Sequence, residues 1–174
     1  MHGSAHPQLT EAALKTIRNG TCWGVPNASE WDHASLLLER LPWLDQVRYT
    51  NSGTEAVMTA VRVARATTGR ERCIMMKASY HGSSDVAMCT GNETERQGVP
   101  LGVIKDITIV ELNDVKALTL AIETAPTSYA AIVIDLLPNR AGLIEADHDF
   151  VLAARSLATK HGIVLISTNL LACV

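Results

Sequence analysis

Short runs of apolar and β-branched residues recur along the chain, separated by longer segments whose apolar positions fall three and four residues apart. The first pattern suits strands buried on both faces and the second suits helices with one apolar stripe, so their alternation predicts parallel strands joined by helical crossovers. The strand candidates are Gln46–Thr50, Arg72–Lys77, Ile107–Glu111, Ala130–Asp135 and Ile163–Ser167. A first helix is expected over Pro7–Asn19, with Leu9, Ala13 and Ile17 on one face and Gly20 as its terminator. A second is capped by Ser29, points Trp31, Ala34, Leu38 and Leu41 inward, and stops at Pro42. Further helices are expected over Thr54–Thr67, Asp114–Glu123 and His148–Lys160, while Met88–Gly102, with its glycines and Pro100, reads as a loop over one sheet edge. The fold class is therefore α/β, three αβα layers around a mainly parallel sheet, in a single domain over residues 1–174 that no linker or repeat divides.

Composition narrows the partners. A chain of 174 residues, 47% apolar and 19% charged, can bury one sizeable core. A net charge of -3 and a single Phe offer no basic, aromatic-studded surface, so no nucleic acid is expected. Cys22, Cys73, Cys89 and Cys173 follow neither a CxxC nor a zinc-ligand spacing, which points to reduced thiols and no metal. The amino-terminal residues lack a basic start followed by an apolar run, and no apolar stretch is long enough to span a bilayer. A soluble, cytoplasmic protein without a membrane partner is the expectation.

The segment with the most chemical content is Val47-Arg48-Tyr49-Thr50-Asn51-Ser52-Gly53-Thr54-Glu55-Ala56, a strand candidate that turns through Ser-Gly-Thr into a helix. Ser52 and Glu55 have capping-box spacing, so the hydroxyl can take the Glu55 amide while the carboxylate reaches back. Gly53 lets a ligand approach the backbone at the helix tip, where unpaired amides and the positive dipole end favour an anion such as phosphate. The same residues also describe a helix that is merely well capped. Ser79-Tyr80-His81-Gly82 follows the second strand candidate and puts an aromatic ring at a strand's carboxyl end, where ligands of open α/β sheets collect; the alternative is a surface turn. Asp135 closes another strand candidate and reads equally as a functional carboxylate or a solvated loop acid.

These motifs resemble those of one family. Arg48–Ala56 is similar to the R-F-x-N-S-G-T-E-A signature of class III aminotransferases, Ala64–Arg70 to its A-R-A-x-T-G-R, and Ser79–Gly82 to its Y-H-G. Gly3–Pro7, Gly20–Gly24 and Gly98–Pro100 match shorter motifs, so the resemblance runs almost end to end. It implies the large domain of a fold-type I pyridoxal-phosphate enzyme of the aminotransferase and glutamate-1-semialdehyde aminomutase group, covering its amino-terminal part. The cofactor implied is pyridoxal 5'-phosphate. By resemblance the amides around Ser52, Gly53 and Thr54 hold its phosphate, Tyr80 stacks on its ring beside His81, Asp135 matches the Glu of an E-P-V-x-x-N stretch, and Leu170 supplies an apolar contact beneath the ring.

Two departures stand against that pattern. The Schiff-base Lys of the family lies beyond the position matching Val174, and Lys15, Lys77, Lys105, Lys116 and Lys160 all fall elsewhere. The family's L-x-F-D-E-V aligns with Leu165–Leu170, which puts Thr168 where an Asp pairs with the pyridine nitrogen. No catalytic residue is therefore assigned, and transamination of an amino and keto substrate is not expected from this chain alone. By resemblance two later strands separate Gln46–Thr50 from the rest of the sheet, so a homo-oligomer or a partner chain is expected to complete it. The alternatives are a non-catalytic, ligand-binding pseudoenzyme, or a fold recruited for chemistry without pyridoxal phosphate at Tyr80, His81 or Asp135.

Overall fold

The computed structural model describes residues 3–168. Two compact units form, one reaching Tyr49 and the other starting at Thr50.

The first unit holds α1, Pro7–Ile17, and α2, Ala28–Arg40. Pro7 opens α1, where its missing N–H costs nothing. The cap of α2 is Asn27, two residues before the Ser29 that the sequence suggested. Asn27 has extended backbone, its side chain accepts from the Glu30 amide at 3.2 Å, and it donates to the Glu30 carboxylate at 3.4 Å. Asn at an N-cap satisfies an orphan donor as well as Ser does, so the earlier candidate wins and Ser29 joins the first turn. Neither helix buries a residue: Leu9 and Ile17 are more than half exposed, and Trp31, expected inward, is 77% exposed. Gln46–Thr50 makes no strand. Alternation of Val47 and Tyr49 is a property of the side chains, whereas a strand needs a neighbour to satisfy its amides, and none of the described strands pairs with it. Tyr49 instead meets His33 Nδ1 through its hydroxyl at 2.8 Å.

The second unit is a three-layer α/β structure. Its elements are α3 (Gly53–Thr68), β1 (Arg72–Met76), a short α4 (Asp85–Met88), α5 (Leu101–Lys105), β2 (Ile107–Val110), α6 (Val115–Thr124), β3 (Tyr129–Asp135), α7 (His148–His161) and β4 (Val164–Thr168). The segment read as a loop from Met88 to Gly102 thus begins in a helical turn and ends in another, and it is tied in by burial of Cys89 and Thr90. All strand pairs are parallel, in the order β2-β1-β3-β4. Successive residues serve opposite faces: Ile74, Met76, Ile132 and Ile134 pack with Leu118, Ile122 and Phe150 of α6 and α7. Cys73, Met75, Ala131 and Val133 pack with Val57, Val61 and Ala64 of α3. Both faces are covered, which is why the strands read as continuous apolar runs with no polar alternation. Burial pushes the Cys73 and Cys89 thiols up, so both remain protonated.

One side chain ties the amino-terminal edge of the sheet. The Arg70 guanidinium donates to the carbonyls of Tyr129 at 3.1 Å, His161 at 2.9 Å and Gly162 at 3.3 Å, joining the start of β3 to the left-handed cap of α7. Arg70→Met keeps the stem and strands three carbonyls; it is expected to lower unfolding free energy by about 1–3 kcal/mol, read from the urea midpoint.

Candidate functional site

The strand order reverses between β1 and β3, since β2 lies on one side of β1 and β3 and β4 on the other. A crevice at the carboxyl ends of such strands is where open α/β sheets bind ligands. A cleft of about 430 Å³ lies there, formed by the tip of α3, the segment after β1, and the ends of β3 and β4.

The tip of α3 is built by its own sequence. Ser52 is extended and its Oγ accepts from the Glu55 amide at 3.2 Å. The Glu55 carboxylate reaches back one residue further than a standard capping box, accepting from the Asn51 amide at 2.7 Å. The Ala56 amide is taken by the Ser52 carbonyl. A helix start has no intrahelical acceptors for its first amides, which leaves those of Gly53 and Thr54 as the donors at the tip. Both residues line the cleft, and a Cβ at Gly53 would meet nothing within 4 Å, so the backbone there is open to an approaching group.

The segment after β1 is turned sharply. Ala78 adopts the left-handed region at φ 57°, and the Ser79 amide bonds back to the Met76 carbonyl. Thr90 Oγ1 donates to the Ser79 carbonyl at 2.6 Å, anchoring the turn from below. Tyr80 follows with its ring 48% exposed, then His81, 3% exposed, then Gly82 at φ +96°. A Cβ at Gly82 would lie 2.2 Å from Thr54 Oγ1 and 2.7 Å from Thr54 Cα. This contact brings the two motifs together at backbone distance.

The polar groups of the cleft are few. His81 Nδ1 lies 3.5 Å from Thr168 Oγ1, and its Nε2 is buried without a hydrogen-bond partner. Burial pushes the imidazole below its ordinary value, partly offset by the negative charge of Asp135, so His81 is neutral at pH 7. Asp135 Oδ1 accepts from the Leu137 amide at 3.1 Å, and Asp135 stands level with Thr168 across β3 and β4. Of the residues singled out from sequence, Gly53, Thr54, Tyr80, His81 and Asp135 line this one cleft, and Ser52 caps its helix from the flank. Leu170 lies outside the described residues. Ile166, Ser167 and the α3 residues Val57 and Ala60 also line the cleft and were not anticipated; their only signal was position, at a strand end and on the second turn of the capped helix. None of the five lysines lines it: Lys77 pairs with Glu111, and Lys160 lies 3.8 Å from Glu123. Among the described residues no cluster of His, Cys, Asp and Glu is placed to hold a metal ion, and no helix is long and apolar enough to cross a membrane.

A parallel sheet covered by helices, with a helix tip and an aromatic turn meeting at its switch point, is shared with part of the large domain of fold-type I transferases. The sequence profile of the family described as Aminotransferase class-III matches residues 1–169, and the chain belongs to that family. It is 36% identical over 169 residues to the glutamate-1-semialdehyde 2,1-aminomutase of Methanothermobacter thermautotrophicus, a match covering 94% of this chain and 40% of that protein. An omega-transaminase from Sphaerobacter thermophilus superposes with a TM-score of 0.89 at 36% identity, covering 95% of this chain and 41% of its own. A transaminase solved with PLP bound gives 0.90 at 33% identity, with the same coverage. The chain thus spans about 40% of the length of these relatives.

Two outcomes test this geometry. Gly82→Ala combines a left-handed φ with a backbone clash, so it is expected to cost about 2–4 kcal/mol in denaturant unfolding, and Thr54→Ala in the same chain does not rescue it because Thr54 Cα remains in the way. His81 takes up a proton less readily folded than unfolded. Below about pH 6.5, the ordinary value, the unfolded state binds the extra proton and stability falls with pH; above it the penalty is absent. Urea unfolding at pH 7.5 and 5.5 should show a loss in the wild type that is smaller in His81→Gln.

Proposed function

We propose that this cleft is the pyridoxal 5'-phosphate site of a class III aminotransferase or aminomutase large domain, and that the chain by itself binds the cofactor without transaminating. The observation that carries the reading is the convergence of the α3 tip, Tyr80 and His81 on one cleft that none of the five lysines lines.

The residues present fit the group. The amides of Gly53 and Thr54, with the positive end of α3 behind them, suit a phosphate. Tyr80 offers a flat face to a pyridine ring, and neutral His81 has a nitrogen in need of a polar partner. When bound, pyridoxal phosphate supplies an electron sink conjugated to the carbon bearing a substrate's amino group. The protein must contribute a lysine for covalent attachment and proton transfer, together with a charge at the ring nitrogen. Lys15, Lys77, Lys105, Lys116 and Lys160 are placed elsewhere, and Thr168 offers a neutral hydroxyl at the position the family gives to Asp. Asp135 can orient a polar substituent at the rim, held by the Leu137 amide. Turnover of a small amino or keto substrate, in a soluble cytoplasmic assembly, requires a lysine that none of the residues lining this cleft supplies. Residues 1–174 by themselves are read as the ligand-binding part of that site, without turnover.

The test separates phosphate recognition from covalent capture. Gly53→Pro deletes one tip amide at the first helical position, after an extended Ser52, where proline is accommodated without strain. Calorimetry with the wild type should show saturable binding of pyridoxal 5'-phosphate, weakened about tenfold or more by Gly53→Pro, while the binding of unphosphorylated pyridoxal is unchanged. Borohydride reduction followed by intact mass should show no site-dependent adduct. A lysine adduct that Gly53→Pro abolishes would overturn the claim that the lone chain lacks covalent capture, and absence of wild-type binding would overturn the cofactor assignment.

A further inference from the structure

The backbone of the aromatic turn is fixed by Thr90 below and by Thr54 alongside, yet the Tyr80 ring itself stands half exposed at the mouth of the cleft. Its restraint comes from two surface loops that carry no motif. Beyond β3, the 3-10 turn Asn139–Ala141 presents Arg140, whose guanidinium carbon lies 5.6 Å from the centre of the Tyr80 ring. The same guanidinium forms an ion pair with Glu95 from the loop after α4.

Glu95 is a prepared anchor. The Asn92 amide donates to its Oε2 at 2.9 Å, and its own amide donates to Asn92 Oδ1 at 3.0 Å, a reciprocal pair that stiffens the loop. Gly91 makes room for it, since a Cβ there would lie 2.6 Å from Glu95 Oε2 and 2.8 Å from its Cβ. The Arg140 hydrogen bond, then the Asn92 amide, holds the Glu95 carboxyl below the usual carboxylate range, so the anchor stays charged at neutral pH. An exposed ion pair contributes little to stability by itself. Here it has a geometric consequence, because the cation it fixes lies over an aromatic ring that lines the ligand cleft.

We propose that Glu95 and Arg140 are positioning residues that clamp the Tyr80 ring at the mouth of the cleft: Glu95 fixes the guanidinium, and the guanidinium face fixes the ring. The placement of the ring stands on this geometry alone; its effect on ligand affinity rests on the pyridoxal phosphate reading above.

The decisive variant is Glu95→Gln, which removes the anchor without touching the ring. With tyrosine rings labelled with carbon-13, the Tyr80 resonance in the ligand-free chain, identified by its loss in Tyr80→Phe, should move in Glu95→Gln and in Arg140→Gln. Arg140→Lys should fall between them and the wild type, because a lysine keeps the charge and loses the planar face. Tyr49 and Tyr129, which meet His33 and Arg72 instead, should stay in place. If Tyr80 holds its wild-type position in Glu95→Gln, the clamp is overturned. Glu95→Gln should also weaken pyridoxal 5'-phosphate binding by about two- to fivefold, the equivalent of an exposed cation–ring contact, and should have no effect in a Tyr80→Leu background. An equal loss in both backgrounds overturns the coupling through the ring. Should the wild type bind no cofactor, the functional reading fails while the resonance experiment still decides the clamp.

Discussion

The cleft depends on one missing atom. Because position 82 has no Cβ, the turn after β1 can rest against the first turn of α3, with Thr54 occupying the volume that any other residue would need. That contact is between backbones, so it sets the distance between the helix-tip amides and the aromatic turn with little latitude. Everything else on that side of the sheet is compatible with it: the small residues Ala56 and Ala60 of α3 that line the cleft, the left-handed Ala78, and the Thr90 hydroxyl that donates to the Ser79 carbonyl. A strained residue at a strand end is tolerated where surrounding bonds over-determine it, and here they do.

The electrostatics of the cleft follow from what is absent as much as from what is present. The favourable charge is the partial positive end of α3, where Ser52 takes the Glu55 amide and the Glu55 carboxylate takes the Asn51 amide, leaving those of Gly53 and Thr54 for a ligand. Asp135 is the one carboxylate among the lining residues, and it spends one oxygen on the Leu137 amide. His81 is neutral and lies 3.5 Å from Thr168, so that pair can donate or accept a hydrogen bond, and Asp135 beside it is the group that acts on a cation by charge. A ring nitrogen placed there would meet the His81 and Thr168 pair with the Asp135 carboxylate beside it.

Much of this was legible before any coordinates. Four of the five strand candidates form the sheet, because strands buried on both faces leave continuous runs such as Cys73–Met76 and Ala130–Ile134 that no helix stripe imitates. The Ser52 cap and the aromatic turn were also visible, since both depend on residues adjacent in sequence. The failures share a cause. Gln46–Thr50 has strand composition, but pairing is a property of two segments, and only one of them is in the pattern. Trp31 has the right spacing for a buried helix face, yet spacing records which residues share a face and not whether anything covers it. The Glu95–Arg140 pair spans 45 residues between two loops and has no periodicity at all, so it emerges only from geometry.

The energetic consequence of a cleft without a lysine can be bounded. For pyridoxal phosphate held as proposed, two charge-assisted bonds from helix-tip amides would contribute about 1.5–3 kcal/mol each, and an aromatic stack on Tyr80 about 0.5–1.5 kcal/mol. The sum, roughly 3.5–7.5 kcal/mol, corresponds to dissociation constants from the millimolar range to a few micromolar. Covalent capture by a lysine escapes that ceiling, because it replaces an equilibrium of weak contacts with a bond. Retention by this chain alone must instead scale with how well the ring and the phosphate are held in advance. On the proposed reading, the helix tip and the tyrosine are the features on which affinity depends, and a lysine brought to the cleft would find the ligand already oriented by them.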